Sequence, residues 1–316
     1  MRRSVFLICI LSFLLYSCQS KKGEITFLPT AELQPLSLGM MPTLEGLPFY
    51  IAEKQGIYDS LGLDLTFIHF NSSNDRDAAF QKGKMDGMIT DYPSAAFIQA
   101  HHRSNLSFVM KNNGYFCFIA SKESKINRPQ QLKLKNIAVS RNTIVEYATD
   151  QLLKKSAILL SEVNSPEIAQ IPLRLQMLQY GQIDASFLPD PFASIAMNSG
   201  HRSIISTQEL GINLTGTAFS AKALEEKKEE IKLLIQGYNL GIEYIRTHPQ
   251  KEWKQQLMEL GVPENLTGLI ALPSYQPATL PSEADVKEAI SWLKAHQRIS
   301  SSYTGDQLID TTCIHT

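Results

Sequence analysis

From residue 36 onward the apolar positions fall into alternating strand-like and helix-like runs. LSLGM (36–40) is a short apolar run, followed by a loop and then by PFYIAEKQG. Pro48 in the first turn, apolar Phe49, Ile51 and Ala52, and Gly56 as the stop predict a helix for that segment. LDLTFIHF (63–70) alternates and predicts a second strand. A strand, a helix and a strand in that order make a parallel sheet the economical arrangement. The cluster NSSN (71–74) is rich in capping residues, and the helix DRDAAFQKG runs from it to Gly83.

The pattern then repeats itself. GKMDGMITDYPSAAF begins at Gly83, and GQIDASFLPDPFASI begins 98 residues later, at Gly181. Gly83 and Gly181, Asp86 and Asp184, Pro93 and Pro191, and Ala95 and Ala193 coincide without a gap. Each copy reads as a helix ended by a left-handed glycine, a tight turn, a buried strand, a polar loop and the start of another helix. The two aspartates belong to the turns, where their side chains can tie down the backbone.

Between the copies, YFCFIAS (115–121) and NIAVS (136–140) read as strands, and TIVEYATDQLLKK as a helix. SIIS and LTGTAFSAKAL add two strand-like runs after the second copy. The remainder is helical, in three stretches ending with SEADVKEAISWLKAH, whose charge runs read as solvated faces. In open α/β sheets ligands collect at the carboxyl ends of strands, where helix N-termini offer unpaired N–H groups. Two α/β lobes carrying one such loop each could grip a small molecule from both sides, which accounts for the duplication.

The first twenty residues change the picture. A basic start, Arg2-Arg3, precedes an apolar run over residues 5–15, too short for a permanent span of roughly 20 residues and suited to an export signal. Leu15-Tyr16-Ser17-Cys18 resembles a bacterial lipoprotein box, although Tyr16 is bulkier than that pattern prefers; an ordinary secretory signal is the alternative. The expectation is a signal peptide over 1–17, lipidation of Cys18, and a polar tether over 18–35. The protein is then exported and attached to a bacterial membrane through its lipid alone.

Composition narrows the function classes. With 43% hydrophobic and 19% charged residues and a formal net charge of −1, the chain is globular and has no concentrated basic surface for nucleic acid. Seven histidines without ligand spacing argue against a metal site, and no cofactor is expected. Cys117 and Cys313, the two cysteines beyond the lipid site, read as unpaired thiols, with one disulfide as the alternative.

Taken together, the lipobox, LGMMPTLEGLPFYIAEKQGIYDSLGLDLTFI, the helix ending in GKMDG, LPDPFASIA and the C-terminal IRTHPQ, LMELGVP and WLKAHQRI resemble the solute-binding proteins of ABC importers. The resemblance runs from about residue 36 to 299, and lies with the branch that includes binders of sulfonates, taurine, nitrate and thiamine-pyrimidine precursors. It implies an α/β, type II periplasmic-binding-protein fold, with two lobes that close over a ligand cleft by a hinge motion. Lobe I would comprise 36–116 plus 217–316 and lobe II 117–216, with crossing segments near 115–121 and 214–220. Its partners would be a small-molecule ligand and the permease and ATPase subunits, the protein itself being a monomer.

By the same resemblance, ligand contacts come from the loops after strands: Thr43 and Glu45; Asn74; Thr90, Asp91 and Tyr92; Arg141, Asn142 and Thr143; and Asp190 and Phe192. Each has a structural rival. Asn74 and Asp190 are competent helix caps, Phe192 suits a core, and Arg141 suits a solvated surface. Tyr92, aligned with Asp190 in the repeat, is a poor cap and hence the more suggestive ligand contact. Carboxylates beside aromatics favour a nitrogenous or aromatic ligand slightly over sulfonate, taurine or nitrate. Enzymes on this fold and a sensor lobe are the rival classes. No nucleophile with an adjacent base and no Gly-x-Ser-x-Gly motif speaks for catalysis.

Overall fold

The computed structural model describes residues 32–101 and 104–314, so the expected signal peptide and Cys18 lie outside the described residues. β1 (Leu36–Met40) leads through a loop into α1 (Leu47–Lys54), the short α2 (Ile57–Ser60), β2 (Leu65–His69) and α3 (Ser73–Gln81). The first copy of the repeat supplies β3 (Gly87–Asp91) and α4 (Tyr92–Ala100). Next come β4 (Leu106–Lys111), β5 (Phe116–Ala120), β6 (Ile137–Ala138) and α5 (Ile144–Lys155). The second copy gives α6 (Ile171–Gln179), β7 (Ala185–Pro189) and α7 (Phe192–Asn198), followed by β8 (Arg202–Ser206) and β9 (Thr215–Ser220). The chain ends in α8 (Ala221–Glu226), α9 (Lys228–Thr247), α10 (Lys254–Glu259) and α11 (Glu283–Ala295).

These strands form two sheets, ordered β2-β1-β3-β9-β4 and β6-β7-β5-β8. β1 runs parallel to β2 and β3, as the strand-helix-strand pattern predicts, and β6 runs parallel to β7. β9 is antiparallel to β3 and β4, and β5 is antiparallel to β7 and β8. The fold is thus mixed α/β with two sheets. β4 is absent from the apolar pattern read above; its buried run Leu106, Phe108, Val109 and Met110 becomes a strand by pairing with β9, a partner more than 100 residues away.

The glycines of the repeat behave as expected: Gly83 and Gly181 adopt φ of 65° and 67°. The chain leaves the first sheet after Lys111 and enters the second at Phe116, then returns between Ser206 and Thr215. The crossings therefore fall a few residues ahead of the expected segments, 115–121 and 214–220, most of which are strands. Asn112 N donates to the Thr215 carbonyl at 2.9 Å, and Gly114 N donates to Thr215 Oγ1 at 3.0 Å, so the two crossings brace each other.

The core is continuous across the sheets, Met88 and Phe108 of the first sharing a cluster with Phe118 and Phe187 of the second. One cluster lies between the first sheet and α1, α9 and α10; another includes the other face of that sheet, α4, α5 and α11; a third fills the space behind β5 and β7 against α6 and α7. α9 lies against α1 at very short range because of Gly241, where an added Cβ would come 2.2 Å from the Pro48 carbonyl oxygen. Cys117 and Cys313 are both buried and unpaired. Among the described residues no helix is long and apolar enough to cross a membrane.

Candidate functional site

A cavity of about 60 Å³ lies at the carboxyl ends of β1, β3 and β7, between the two sheets. A water needs roughly 10–15 Å³ on this measure, so the space holds a handful of non-hydrogen atoms. Direct contacts bridge the two sheets around it. Leu44 N donates to the Asp190 carbonyl at 2.9 Å, Ile171 N donates to the Asn71 carbonyl at 3.0 Å, and the Ser73 and Ser140 hydroxyls meet at 2.8 Å.

Each wall follows from local sequence. The β1–α1 loop contributes Thr43 and Glu45, and the end of β3 contributes Thr90 and Asp91. α3, α5 and α6 all begin at the cavity, with Ser73, Ile144 and Ile171 in its lining. Thr143 caps α5, accepting the Val145 N–H at 3.1 Å, while Ser72 caps α3. Three helix N-termini aimed at one space favour negative charge there.

Five of the expected ligand residues line this cavity: Thr43, Glu45, Thr90, Asp91 and Thr143. Six are placed elsewhere. Tyr92 is the first residue of α4 and is fully buried in the core, its ring edge-on to Phe108 at 4.8 Å, because Asp91 takes the cap position by accepting the Ser94 N–H at 2.9 Å. Asp190 lies one residue ahead of the cap position, which Pro191 takes, and its Oδ1 accepts the Ser194 N–H of α7 at 3.0 Å, while Phe192 packs on the core behind β7. Asn74, Arg141 and Asn142 line a neighbouring surface pocket instead. Arg141 is held there by Glu146 at 2.7 Å, and Asn142 N donates to the same carboxylate at 2.7 Å.

The sequence reading misses the two arginines of the site. Arg76 on α3 and Arg174 on α6 are buried and line the cavity. Their positions carry a signal: Ile171, Arg174, Leu175 and Leu178 form an i, i+3, i+4, i+7 stripe, and a charge on an apolar stripe has to meet something inside. Arg76 pairs with Asp77, Nε to Oδ1 at 2.9 Å, and Nη1 donates to the Ile89 carbonyl at 3.1 Å. Arg174 Nη1 donates to the Ile168 carbonyl at 2.9 Å and Nε has no partner; burial pulls its pKa down to about 10, leaving it charged at neutral pH.

Across the cavity the carboxylates are shifted the other way. Burial pushes Glu45 up to about 7, with Thr215 opposing, the nearby Asp91 adding to the rise and Arg76 opposing. Burial likewise pushes Asp91 up to about 6 against the pull of Arg76 and the Ser94 hydrogen bonds, with Asp77 adding to the rise. Oε1 of Glu45 and the hydroxyl of Thr90 are sealed from solvent without a partner. The arrangement can bind and orient a small polar molecule; its lining holds neither a histidine nor a cysteine.

Comparison with known proteins places this geometry. The structure superimposes on the periplasmic aliphatic sulphonate binding protein SsuA from Escherichia coli with a TM-score of 0.72 at 15% identity, covering 89% of this chain and 94% of that one. The alkanesulfonate-binding protein SsuA from Xanthomonas axonopodis pv. citri, bound to MOPS, matches at 0.68 and 17% identity, covering 86% and 96%. The periplasmic nitrate-binding protein NrtA from Synechocystis PCC 6803 matches at 0.70 and 10% identity, covering 86% and 83%. No curated protein matches the sequence. The NMT1/THI5-like family model matches residues 44–252, a span that holds both copies of the repeat and every cavity wall except the part of the loop ahead of Leu44. The chain belongs to the NMT1/THI5-like family and has the two-sheet α/β fold of periplasmic binding proteins.

Proposed function

We propose that this protein is the extracytoplasmic solute-binding component of an ABC importer, anchored through Cys18 and capturing a small anionic molecule between two lobes. The lobes follow the sheets, with the first formed by 36–111 and 215–314 and the second by 116–206. The observation that carries the reading is the cavity between the sheets, built from loops of both and lined by buried polar groups without partners. Such groups are costly unless something fills the space between them. The lining supports capture without covalent chemistry, since it holds neither a histidine nor a cysteine.

The ligand class moves with the geometry. Tyr92 and Phe192, which favoured an aromatic ligand, do not face the cavity, whereas Arg174 and three helix N-termini do. The small volume and the buried cation support a compact anion over a pyrimidine. A thermal-shift screen of the unlipidated chain against sulfonates, nitrate, small carboxylates, amino acids, thiamine and pyrimidines tests this. A ligand at 100 times its dissociation constant stabilises by about 2.7 kcal/mol. Silence from every compound would sink the solute-binding reading, and turnover of any of them would sink the assignment to binding alone.

A further inference from the structure

α5 starts at the cavity and ends about 18 Å further on, beside three leucines that stand in solvent. Leu134 is 90% exposed, Leu159 68% and Leu160 45%. Leu134 lies in the loop ahead of β6, and the other two follow the turn after α5. Glu162 holds the two places together. Its carbonyl accepts the Leu134 N–H at 2.7 Å, and its carboxylate accepts the Leu159 N–H at 2.9 Å and meets Lys133 Nζ at 2.7 Å. Exposed apolar residues are ordinary when single, whereas these are gathered on one face. Leu134 also adopts a φ of 61°, a left-handed backbone that glycine or asparagine enters more easily, so the turn itself does not call for a leucine there.

Cations surround the leucines. The segments 122–135 and 154–162 hold seven basic residues, Lys122, Lys125, Arg128, Lys133, Lys135, Lys154 and Lys155, against two acidic ones, Glu123 and Glu162, in a chain whose net charge is −1. The first segment folds back on itself where Lys135 Nζ donates to the Ser124 carbonyl at 3.1 Å. Lys133 pairs with Glu162 and Lys135 with Asp184, which leaves the other five exposed and without an ion pair among the described residues. The net charge of the sequence hides this concentration, because β6 and α5 separate the two segments in the chain and only the fold sets them side by side.

We propose that this face rests on a bilayer of anionic phospholipid, the leucines entering the headgroup boundary and the cations facing the lipid phosphates. A second copy of the chain would set like charges against each other. Protein interfaces are anchored by tyrosine, tryptophan and arginine and are poor in lysine, and single-stranded nucleic acid is gripped by stacking aromatics. The two segments hold no aromatic residue, and six of their seven cations are lysines. Lysine stems lie along apolar surface while their charged ends stay with the phosphates, so lysine and leucine together suit a lipid surface. The proposed anchor supplies the encounter. Cys18 stands 14 residues ahead of Glu32, the first described residue, so a lipid there keeps the body near the bilayer and a weak contact suffices. The inference goes beyond the solute-binding reading and shares only its anchor.

The test is co-sedimentation of the unlipidated chain with vesicles of phosphatidylcholine alone or with about one-third phosphatidylglycerol, at about 0.1 M and about 1 M salt, between which the Debye length falls from about 10 Å to about 3 Å. At low salt the anionic vesicles should bind at least about tenfold more tightly than the neutral ones, and high salt should remove the difference. Leu134→Asn combined with Leu159→Ser should weaken binding to anionic vesicles by about tenfold or more, as should Lys154→Gln combined with Lys155→Gln. Leu269→Ser, at a leucine 77% exposed elsewhere on the surface, should change nothing. Should one of the double variants fail to fold, the other decides. Absence of binding, or equal binding to both kinds of vesicle, overturns the proposal, and so does a leucine variant that binds as the wild type does. Self-association that the leucine substitutions abolish, without vesicle binding, would make the face a protein interface and overturn it as well. No solute enters this assay, so its failure leaves the solute-binding reading to the thermal-shift screen.

Discussion

Asp86 Oδ2 accepts the backbone N–H of Ser37 at 2.8 Å, and in the second sheet Asp184 Oδ2 accepts the N–H of Asn136 at 2.8 Å. The repeated aspartates do more than close their own turns. Each sits ahead of one strand and pins the start of its parallel neighbour, β1 beside β3 and β6 beside β7. Asp86 also accepts the Ser37 hydroxyl at 2.8 Å and meets Lys227 Nζ at 2.8 Å. Hydrogen bonds to a charged group contribute about 1.5–3 kcal/mol each, so Asp86→Ala should cost on the order of 3 kcal/mol in urea unfolding. Ligand affinity should be unchanged; a variant that loses affinity and keeps its stability would make Asp86 a site residue.

Arg174 should show the converse. Replacing a buried, unpaired cation by an apolar side chain of similar length is neutral or stabilising. Arg174→Met is therefore expected to keep or raise the melting temperature of the free protein while removing any ligand-induced shift. A large loss of stability would show that its hydrogen bond to Ile168 matters more than its desolvation.

Tyr92 separates a core role from a site role. Its hydroxyl is buried without a partner, so Tyr92→Phe should leave stability unchanged or raise it by about 1 kcal/mol. Tyr92→Ala should cost about 3–5 kcal/mol by opening a cavity against Phe108. Neither variant should change ligand affinity by calorimetry, and a weakening by Tyr92→Phe would return the residue to the site.

Protonation of the cavity carboxylates gives a stability profile with a definite sign. Glu45 in the folded protein keeps its proton up to about pH 7, whereas the unfolded chain releases it near 4.5. Between those values the folded state binds more protons, so this contribution is fully present below pH 4.5 and is lost as the pH rises through 7. Asp91 acts in the same direction between 3.8 and about 6. Unfolding free energies from urea titrations at pH 5 and 7.5 should differ less in Glu45→Gln than in the wild type, by an amount on the order of 2 kcal/mol. An equal or larger difference in the variant would refute the assignment.

Gly241 tests the close contact of α9 with α1. A methyl group placed 2.2 Å from the Pro48 carbonyl meets backbone on both sides, so the helices must separate. Gly241→Ala should cost about 2 kcal/mol despite alanine's better helix propensity. Unchanged thermal unfolding would mean that α9 can shift freely.

Sequence alone determined what neighbouring residues impose on one another. The repeat at 83 and 181, its left-handed glycines and the parallel β1–β2 unit follow from local spacing, since helix starts, stops and strand alternation are short-range effects, while five of the lining residues came from family resemblance. Tertiary structure decided what distant segments do together. β4 is a strand because β9 lies beside it, and Asp86 reaches Ser37 because β1 and β3 are paired. Tyr92 points into the core because Asp91 takes the cap. Arg174 was legible only as an oddly charged position on an apolar helix face. Whether such a cation meets solvent, a carboxylate or a ligand depends on which walls close around it, and those walls come from residues up to about 130 positions away in the chain.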